Sequence, residues 1–319
     1  MARAHGKAIV LGEHGVVYGR PALAAALDRG VVATARLSTD GAGPSLHVAP
    51  WDVTVTPSAT STRDLDRAFH ALLEGYREPP AVVVEARTEL PGGAGLGSSA
   101  ALSVAVLRAI DETLGIERTT AEVVACSLAW ERVFHGSPSG IDSALAAEGG
   151  VLVYRKGEAP TVVHLPRPLR LCVGDTSERS STRAMVESVA RLRERNRPKI
   201  ELVFDSMAAL VRNGHLALEA GDSKALGQLM DLNQALLASL MLSTETVESM
   251  CDAARKAGAL GAKVTGAGGG GCVIAVAPGH EDEVVAAWRS LGKDAWISEV
   301  DTHGAHRTAA VSRESGAGT

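Results

Sequence analysis

Residues Pro91-Gly92-Gly93-Ala94-Gly95-Leu96-Gly97-Ser98-Ser99-Ala100 set four glycines between an apolar run, 81–84, and an Ala/Leu/Val-rich segment, 99–114. That order predicts a strand, a tight turn and a helix N-terminus. Glycines without Cβ atoms let successive backbone N–H groups turn toward one point. The helix start adds unpaired N–H groups and the positive end of its dipole, which suits a phosphate chain. A plain strand-to-helix turn uses the same residue types, so the loop alone leaves both readings open. The P-loop spacing is absent, because no Lys-Ser or Lys-Thr follows. The dinucleotide fingerprint fails at its third position, which is Ser98.

Aromatic residues make up only 3% of the 319 residues against 45% hydrophobic content, so a core must be built from Ala, Val and Leu. The length suits one large or two ordinary domains. Sparse aromatics argue against base-stacking surfaces. A net charge of -5 without a strong basic block gives nucleic-acid binding little support. No stretch approaches a membrane span, and the opening Met-Ala-Arg-Ala-His-Gly-Lys lacks the apolar centre of a signal peptide. The expectation is a cytoplasmic protein with no nucleic-acid or membrane partner. Cys126, Cys172, Cys251 and Cys272 form no C-x-x-C pair. Buried free thiols are expected rather than a zinc site.

Strands are predicted at 7–11, 31–37, 46–48, 53–55, 81–87, 151–154, 161–165, 169–173, 272–277 and 295–300. Helices are predicted at 64–75, 98–114, 119–133, 183–195, 199–213, 223–238, 244–257 and 280–291. Strands and helices intermix in both halves, so the class is α/β or α+β. The proline-bearing stretch 160–168 marks a boundary, giving domains at 1–166 and 167–312 and a flexible tail at 313–319.

Three other segments carry chemistry-bearing residues. In Lys7–Gly19, the lysine at a strand start is either solvent-facing or a contact for phosphate or carboxylate. Glu13-His14 beside glycines is either a structural turn pair or part of a site. In Glu131–Asp142, a turn containing Gly136, Pro138 and Gly140 brings two carboxylates toward one cavity, one for Mg²⁺ and one near a nucleophilic hydroxyl. The alternative is that Asp142 only caps the 143–145 turn. In Lys263–Cys272, five glycines within six positions are costly to order and imply close backbone approach to a ligand or to the second domain.

Taken together and in this order, the segments resemble the three motifs of the GHMP kinases, a family of small-molecule kinases. Within it the chain most closely resembles the mevalonate-phosphorylating branch. Gly12-Glu13-His14-Gly15-Val16-Val17-Tyr18-Gly19 is similar to the first motif of that branch. Asp175-Thr176 with Arg179–Val186 resembles that branch's segment before its long helix, and Asp231-Leu232-Asn233-Gln234 resembles the branch as well. The resemblance implies two mixed α/β domains with the active site between them. The first would be like ribosomal protein S5 domain 2 and the second ferredoxin-like.

The resemblance further implies phosphorylation of the 5-hydroxyl of (R)-mevalonate by ATP in the mevalonate route to isoprenoids, by a monomer or a homodimer. The rival readings are a relative acting on phosphomevalonate or on the 3-hydroxyl, and a non-catalytic nucleotide-binding regulator. Carried over, Asp142 is the catalytic base and Lys7 the lysine that assists it. Glu13, His14 and Thr182 lie on the substrate side. Pro91, Gly92, Gly93, Ala94, Gly95, Leu96, Gly97, Ser98 and Ser99 take ATP, and Thr265, Gly266, Gly268 and Gly269 close over its phosphates. Glu131 holds Mg²⁺ with Ser98 or Ser99, Ser99 being preferred. The Ser-Glu-Arg-Ser order before Ser181 departs from animal members and leaves Arg179 and Arg183 open as substrate contacts.

Overall fold

The computed structural model describes residues 1–39, 43–49, 51–135, 138 and 140–300. The tail at 313–319, the last part of the expected second domain and Gly136 of the 136–140 turn lie outside them. In chain order the elements are β1 (Ala2–Leu11), β2 (Ala22–Leu37), β3 (Ser45–Ala49), β4 (Val53–Val55), α1 (Asp64–Leu73), β5 (Val82–Thr88), α2 (Ser98–Leu114), α3 (Thr120–His135) and α4 (Ile141–Glu148). There follow β6 (Val151–Tyr154), β7 (Thr161–Val162), β8 (Leu169–Asp175), α5 (Thr182–Arg195), α6 (Arg197–Glu219), α7 (Ser223–Ser239), α8 (Glu245–Lys256), β9 (Gly261–Thr265), β10 (Cys272–Val276), α9 (Glu281–Ser290) and β11 (Ala295–Val300).

Packing divides the chain into two compact units, one of Met1–Lys7 with Asp28–Ala147, the other of Ala8–Leu27 with the chain from Glu148 onward. No single cut, at 166/167 or elsewhere, yields these units, because β1 and β2 each supply residues to both.

In the first unit β2 pairs antiparallel with β5, β5 parallel with β3, and β3 antiparallel with β4. β5 alternates, burying Val82, Val84 and Ala86 and exposing Glu85 and Arg87, so one sheet face meets the core. Helix α2 packs on β5 and α3. Its residues Ala100–Leu107 are all buried. Small side chains allow that enclosure, and a helix buried all round needs no polar stripe.

The second unit contains a four-stranded antiparallel sheet in the order β11-β8-β10-β9. Its chain order of strand, helices, two strands, helix, strand is the split βαβ arrangement of a ferredoxin-like domain. The core joins Trp288, Phe204, Met207 and Met250 with sheet residues such as Val273. Trp288 donates its indole N–H to the Met250 carbonyl at 2.8 Å. Cys172 and Cys251 are buried free thiols, and burial pushes both up to about 12. Cys126 is half-buried.

Four elements differ most from the sequence expectation, one of them helix α4, where only a turn at 143–145 was considered. Strand β1 begins at Ala2 rather than Lys7. The Ala-rich stretch 22–27 is the first half of one long strand, β2; it is buried throughout, so no polar alternation marks it. Strand β9 was not expected; all five residues are buried, lysine and glycine included. Its first residue touches α7 backbone to backbone. A Cβ on Gly261 would lie 1.9 Å from the Gly227 carbonyl oxygen, and one on Gly227 would lie 2.5 Å from the Leu260 carbonyl. Gly227→Ala is therefore expected to lower unfolding free energy by about 1–3 kcal/mol, as overpacked sites do. Chemical denaturation of the variant against wild type measures this.

Candidate active site

The first unit supplies a glycine loop, a lysine and two carboxylates. Gly93, Gly95 and Gly97 adopt left-handed conformations at φ 66°, 80° and 71°. Between them Ala94 and Leu96 are buried and pin the loop to the core, while Gly92 and Gly93 are exposed. Gly97 is the residue before α2, so the loop delivers the helix N-terminus directly. Lys7 runs beneath it. Its backbone N–H donates to the Leu96 carbonyl at 2.9 Å, and its Cγ lies 2.8 Å from where a Cβ on Gly97 would stand. Its Nζ then reaches Asp142 Oδ1 at 3.4 Å. The Lys7 side chain is 6% exposed and that of Asp142 30%. Asp142 is the second residue of α4, so it lies inside the helix rather than capping a turn, where the dipole favours an anion.

Ser99, the second residue of α2, donates its hydroxyl to Glu131 Oε1 at 2.6 Å and accepts the indole N–H of Trp130 at 3.2 Å. Of the two adjacent serines, Ser99 is thus the one that meets the carboxylate. Glu131 is buried on α3. Burial pushes its carboxyl up to about 7, assisted by the Asp142 charge and opposed by the Ser99 hydrogen bond and by Lys7. A hydroxyl and a buried carboxylate are hard oxygen donors. They fit Mg²⁺, which binds to one or two protein groups and keeps waters and substrate phosphates. Among the described residues no cluster of three or more His, Cys, Asp or Glu gathers for a metal.

The second unit holds the remaining expected residues. Glu13 has no exposed surface. It forms an ion pair with Lys263, itself fully buried, and its second oxygen accepts from Asn233 Nδ2 at 2.9 Å. Asn233 Oδ1 accepts from the Gly12 amide at 3.2 Å, and Lys263 Nζ donates to the Val264 carbonyl at 2.5 Å. Thr265, 1% exposed, has its hydroxyl between the Ile9 N–H at 2.7 Å and the Ile9 carbonyl at 3.1 Å. Glu13 is a residue expected at the substrate and Thr265 one expected at the phosphates. Both side chains are engaged within the unit.

His14 follows at φ 58°, in the left-handed region, ahead of a single 3₁₀ turn. Its Nε2 lies 2.8 Å from the Ala267 carbonyl, which can only accept, so Nε2 carries the proton. Burial lowers its pKa and keeps the ring neutral. Tyr18 stacks on Phe204 at 4.7 Å with the Arg193 guanidinium over its ring. Thr182, the first residue of α5, is exposed. Arg179 is bidentate to Asp175 at 2.7 Å for both bonds, while Arg183 is exposed.

The 266–271 run packs against its own unit. A Cβ on Gly268 would lie 2.6 Å from the Leu242 carbonyl oxygen, on Gly269 2.7 Å from Met185 Sδ, and on Gly270 2.7 Å from Glu178 Cβ. The Gly269 amide donates to Leu242 O at 2.7 Å and the Gly271 amide to Glu178 O at 3.0 Å. Ser180 Oγ donates to the Gly268 carbonyl at 2.5 Å. Close backbone approach was expected, but its partner here is neighbouring protein.

Residues 64–150 match the family model described as the GHMP kinases N-terminal domain, and residues 215–294 the one described as GHMP kinases C terminal. The mevalonate kinase of Thermococcus sibiricus is 34% identical, covering 95% of this chain and 97% of that protein. The chain belongs to the GHMP kinase family. The mevalonate kinase of Thermococcus onnurineus is 36% identical over 95% of this chain and 97% of its own length. The L. major mevalonate kinase crystallised with R-mevalonate superposes with a TM-score of 0.82 at 27% identity, covering 94% of this chain and 95% of that one. The Methanococcus jannaschii mevalonate kinase, at 21% identity and a TM-score of 0.80, has the same fold.

Sequence reading gave no role to Lys263, Asn233 or Trp130 in this GHMP kinase. For Asn233 the available signal was a polar residue among the apolar positions of a helix; for Lys263 there was none, and both prove buried. Trp130 carried none.

Two predictions follow from the charges buried here. The Glu131 carboxyl ionises at about 4.5 when unfolded and about 7 when folded. The folded state then holds more protons across that window, so Glu131 costs nothing below it and its full penalty above it. Glu131→Gln is expected to stabilise the ligand-free protein at pH 8 by up to about 3 kcal/mol and to change little at pH 4. Denaturation at the two pH values checks the sign. Lys263→Met strands a buried carboxylate and should cost about 3–5 kcal/mol, whereas Glu13→Leu/Lys263→Met removes both charges and should recover most of it. Denaturant midpoints of single and double variants decide.

Proposed function

We propose that the protein transfers the γ-phosphoryl group of ATP to the 5-hydroxyl of (R)-mevalonate, giving 5-phosphomevalonate and ADP. The observation that carries the chemistry is Asp142 at 3.4 Å from buried Lys7, beside the glycine loop that opens α2. The substrate is supported by the names of relatives at 34% and 36% identity over 95% of the chain. On this reading residues 1–166 form the N-terminal and 167–312 the C-terminal GHMP domain. A cytoplasmic setting suits the free thiols. Among the described residues no helix is long and apolar enough to cross a membrane.

The substrate hydroxyl attacks the γ-phosphorus in line, the new P–O bond forming as the bond to ADP breaks. Little covalent chemistry falls to the protein in such a transfer, so positioning and charge carry the rate. The left-handed glycines at 93, 95 and 97 turn main-chain N–H groups toward the phosphates, and the N-terminus of α2 adds its dipole. Asp142 accepts the hydroxyl proton. Lys7, held between Leu96 and Asp142, sets its positive charge against the base and the developing negative charge of the transferred group. Ser99 and Glu131 would hold Mg²⁺, which would supply neutralisation of phosphate charge. Thr182, exposed at the start of α5, and His14 lie on the substrate side.

Asp142→Asn should fold normally and bind ATP but lose about 10²–10⁴-fold in kcat. A coupled ADP-release assay measures the rate, with phosphorus NMR identifying the product. Near-normal turnover removes Asp142 from the role of base, and a diphosphate or 3-phosphate product overturns the choice of substrate.

A further inference from the structure

Trp130 is a buried tryptophan with a polar task that no motif assigns. It has no exposed surface, sits one residue before Glu131 on α3, and directs its indole N–H at Ser99 Oγ, 3.2 Å away. A serine hydroxyl offers one proton and two lone pairs. In this structure the proton goes to Glu131 Oε1 at 2.6 Å and one lone pair takes the indole N–H. One lone pair remains, and the hydroxyl can no longer rotate. Helix α3 thus fixes Ser99 from two successive residues, one accepting and one donating. The tilted ring of Phe134, with its centroid 6.2 Å from that of Trp130, adds packing on the same helix. An indole is a donor only, so it can neither compete for a cation nor take the hydroxyl proton from Glu131.

We propose that Trp130 is a positioning residue for cation binding, orienting the free lone pair of Ser99 so that serine and Glu131 present a pre-formed pair of oxygen ligands. The inference rests on the proposed role of Ser99 and Glu131 as the Mg²⁺ pair. Outer-shell partners of this kind hold first ligands in place, and their loss typically weakens metal affinity about 10–100-fold.

The test uses the full chain and Mn²⁺ as a paramagnetic stand-in, titrated into the ADP complex and followed by electron paramagnetic resonance. Trp130→Phe removes the N–H and keeps an aromatic ring. It is expected to raise the Mn²⁺ Kd about tenfold or more while leaving ADP affinity in EDTA unchanged. In a Ser99→Ala background the same substitution should change Mn²⁺ affinity less than about twofold, because the two residues then act through one interaction. If Trp130→Phe does not fold, 3-benzothienylalanine at position 130, nearly the same shape with sulfur in place of N–H, is measured instead with the same expectation. Unaltered Mn²⁺ affinity in the folded variant, or an equal loss with and without Ser99, overturns the positioning role. If Ser99→Ala itself leaves Mn²⁺ binding intact, the cation pair fails and the inference with it. The turnover assay on Asp142→Asn tests the kinase reading separately.

Discussion

A side chain at position 97 would occupy the space that Lys7 uses. The Lys7 stem crosses beneath the glycine loop within 2.8 Å of where that Cβ would stand, and only then does its ammonium meet Asp142. Glycine at 97 therefore does two things at once. It takes the left-handed conformation that turns the chain into α2, and it leaves a channel for a buried cation. The catalytic pair of the proposed mechanism and the phosphate loop are one packed object. The loop backbone at 97 and Asp142 are thus both in contact with the same lysine.

The two glycine-rich segments look alike in composition and differ in what their amides do. In 92–97, buried Ala94 and Leu96 anchor a loop that exposes Gly92 and Gly93 and ends with Gly97 at a helix start. In 268–271 the amides of Gly269 and Gly271 are bonded to the Leu242 and Glu178 carbonyls. Every Cβ added at 268–270 would strike side chain or backbone of residues 178–185 or 242. The first segment keeps glycine for conformation; the second keeps it because protein fills the space. Its Ala267 carbonyl, fixed by that packing, in turn sets which nitrogen of His14 carries the proton.

The same distinction accounts for what the sequence made legible. A strand, a glycine loop and an Ala-rich helix were readable because each follows from a local rule about φ or periodicity. The Ser99–Glu131 and Lys7–Asp142 pairs were placed by motif order, and the structure brings each pair together. What escaped has no local rule. Strand β9 is buried on both faces and carries lysine and two small residues among its five, so neither alternation nor an apolar run marks it. Lys263 reads as a surface residue until Glu13, 250 positions away, is known to lie against it. Glu13 and Thr265 were given to ligands by the resemblance alone; the hydrogen bonds they make here, within the unit, have no mark in the local sequence.

Burying a charged pair calls for a reason beyond stability, since such pairs often add little net energy over an apolar pair. Here the pair holds a turn whose backbone is unfavourable, with His14 at φ 58°. A left-handed histidine persists only where surrounding contacts over-determine it. Glu13 is bonded to Lys263 on β9 and Asn233 on α7, Asn233 returns to the Gly12 amide, and His14 bonds Ala267. Three segments thus grip three successive residues, Gly12, Glu13 and His14. An apolar pair would fill the volume without specifying direction, whereas a carboxylate with two fixed partners has one orientation. The buried charges are best understood as what keeps the strained turn in a single conformation, and that conformation as what a positioned imidazole requires.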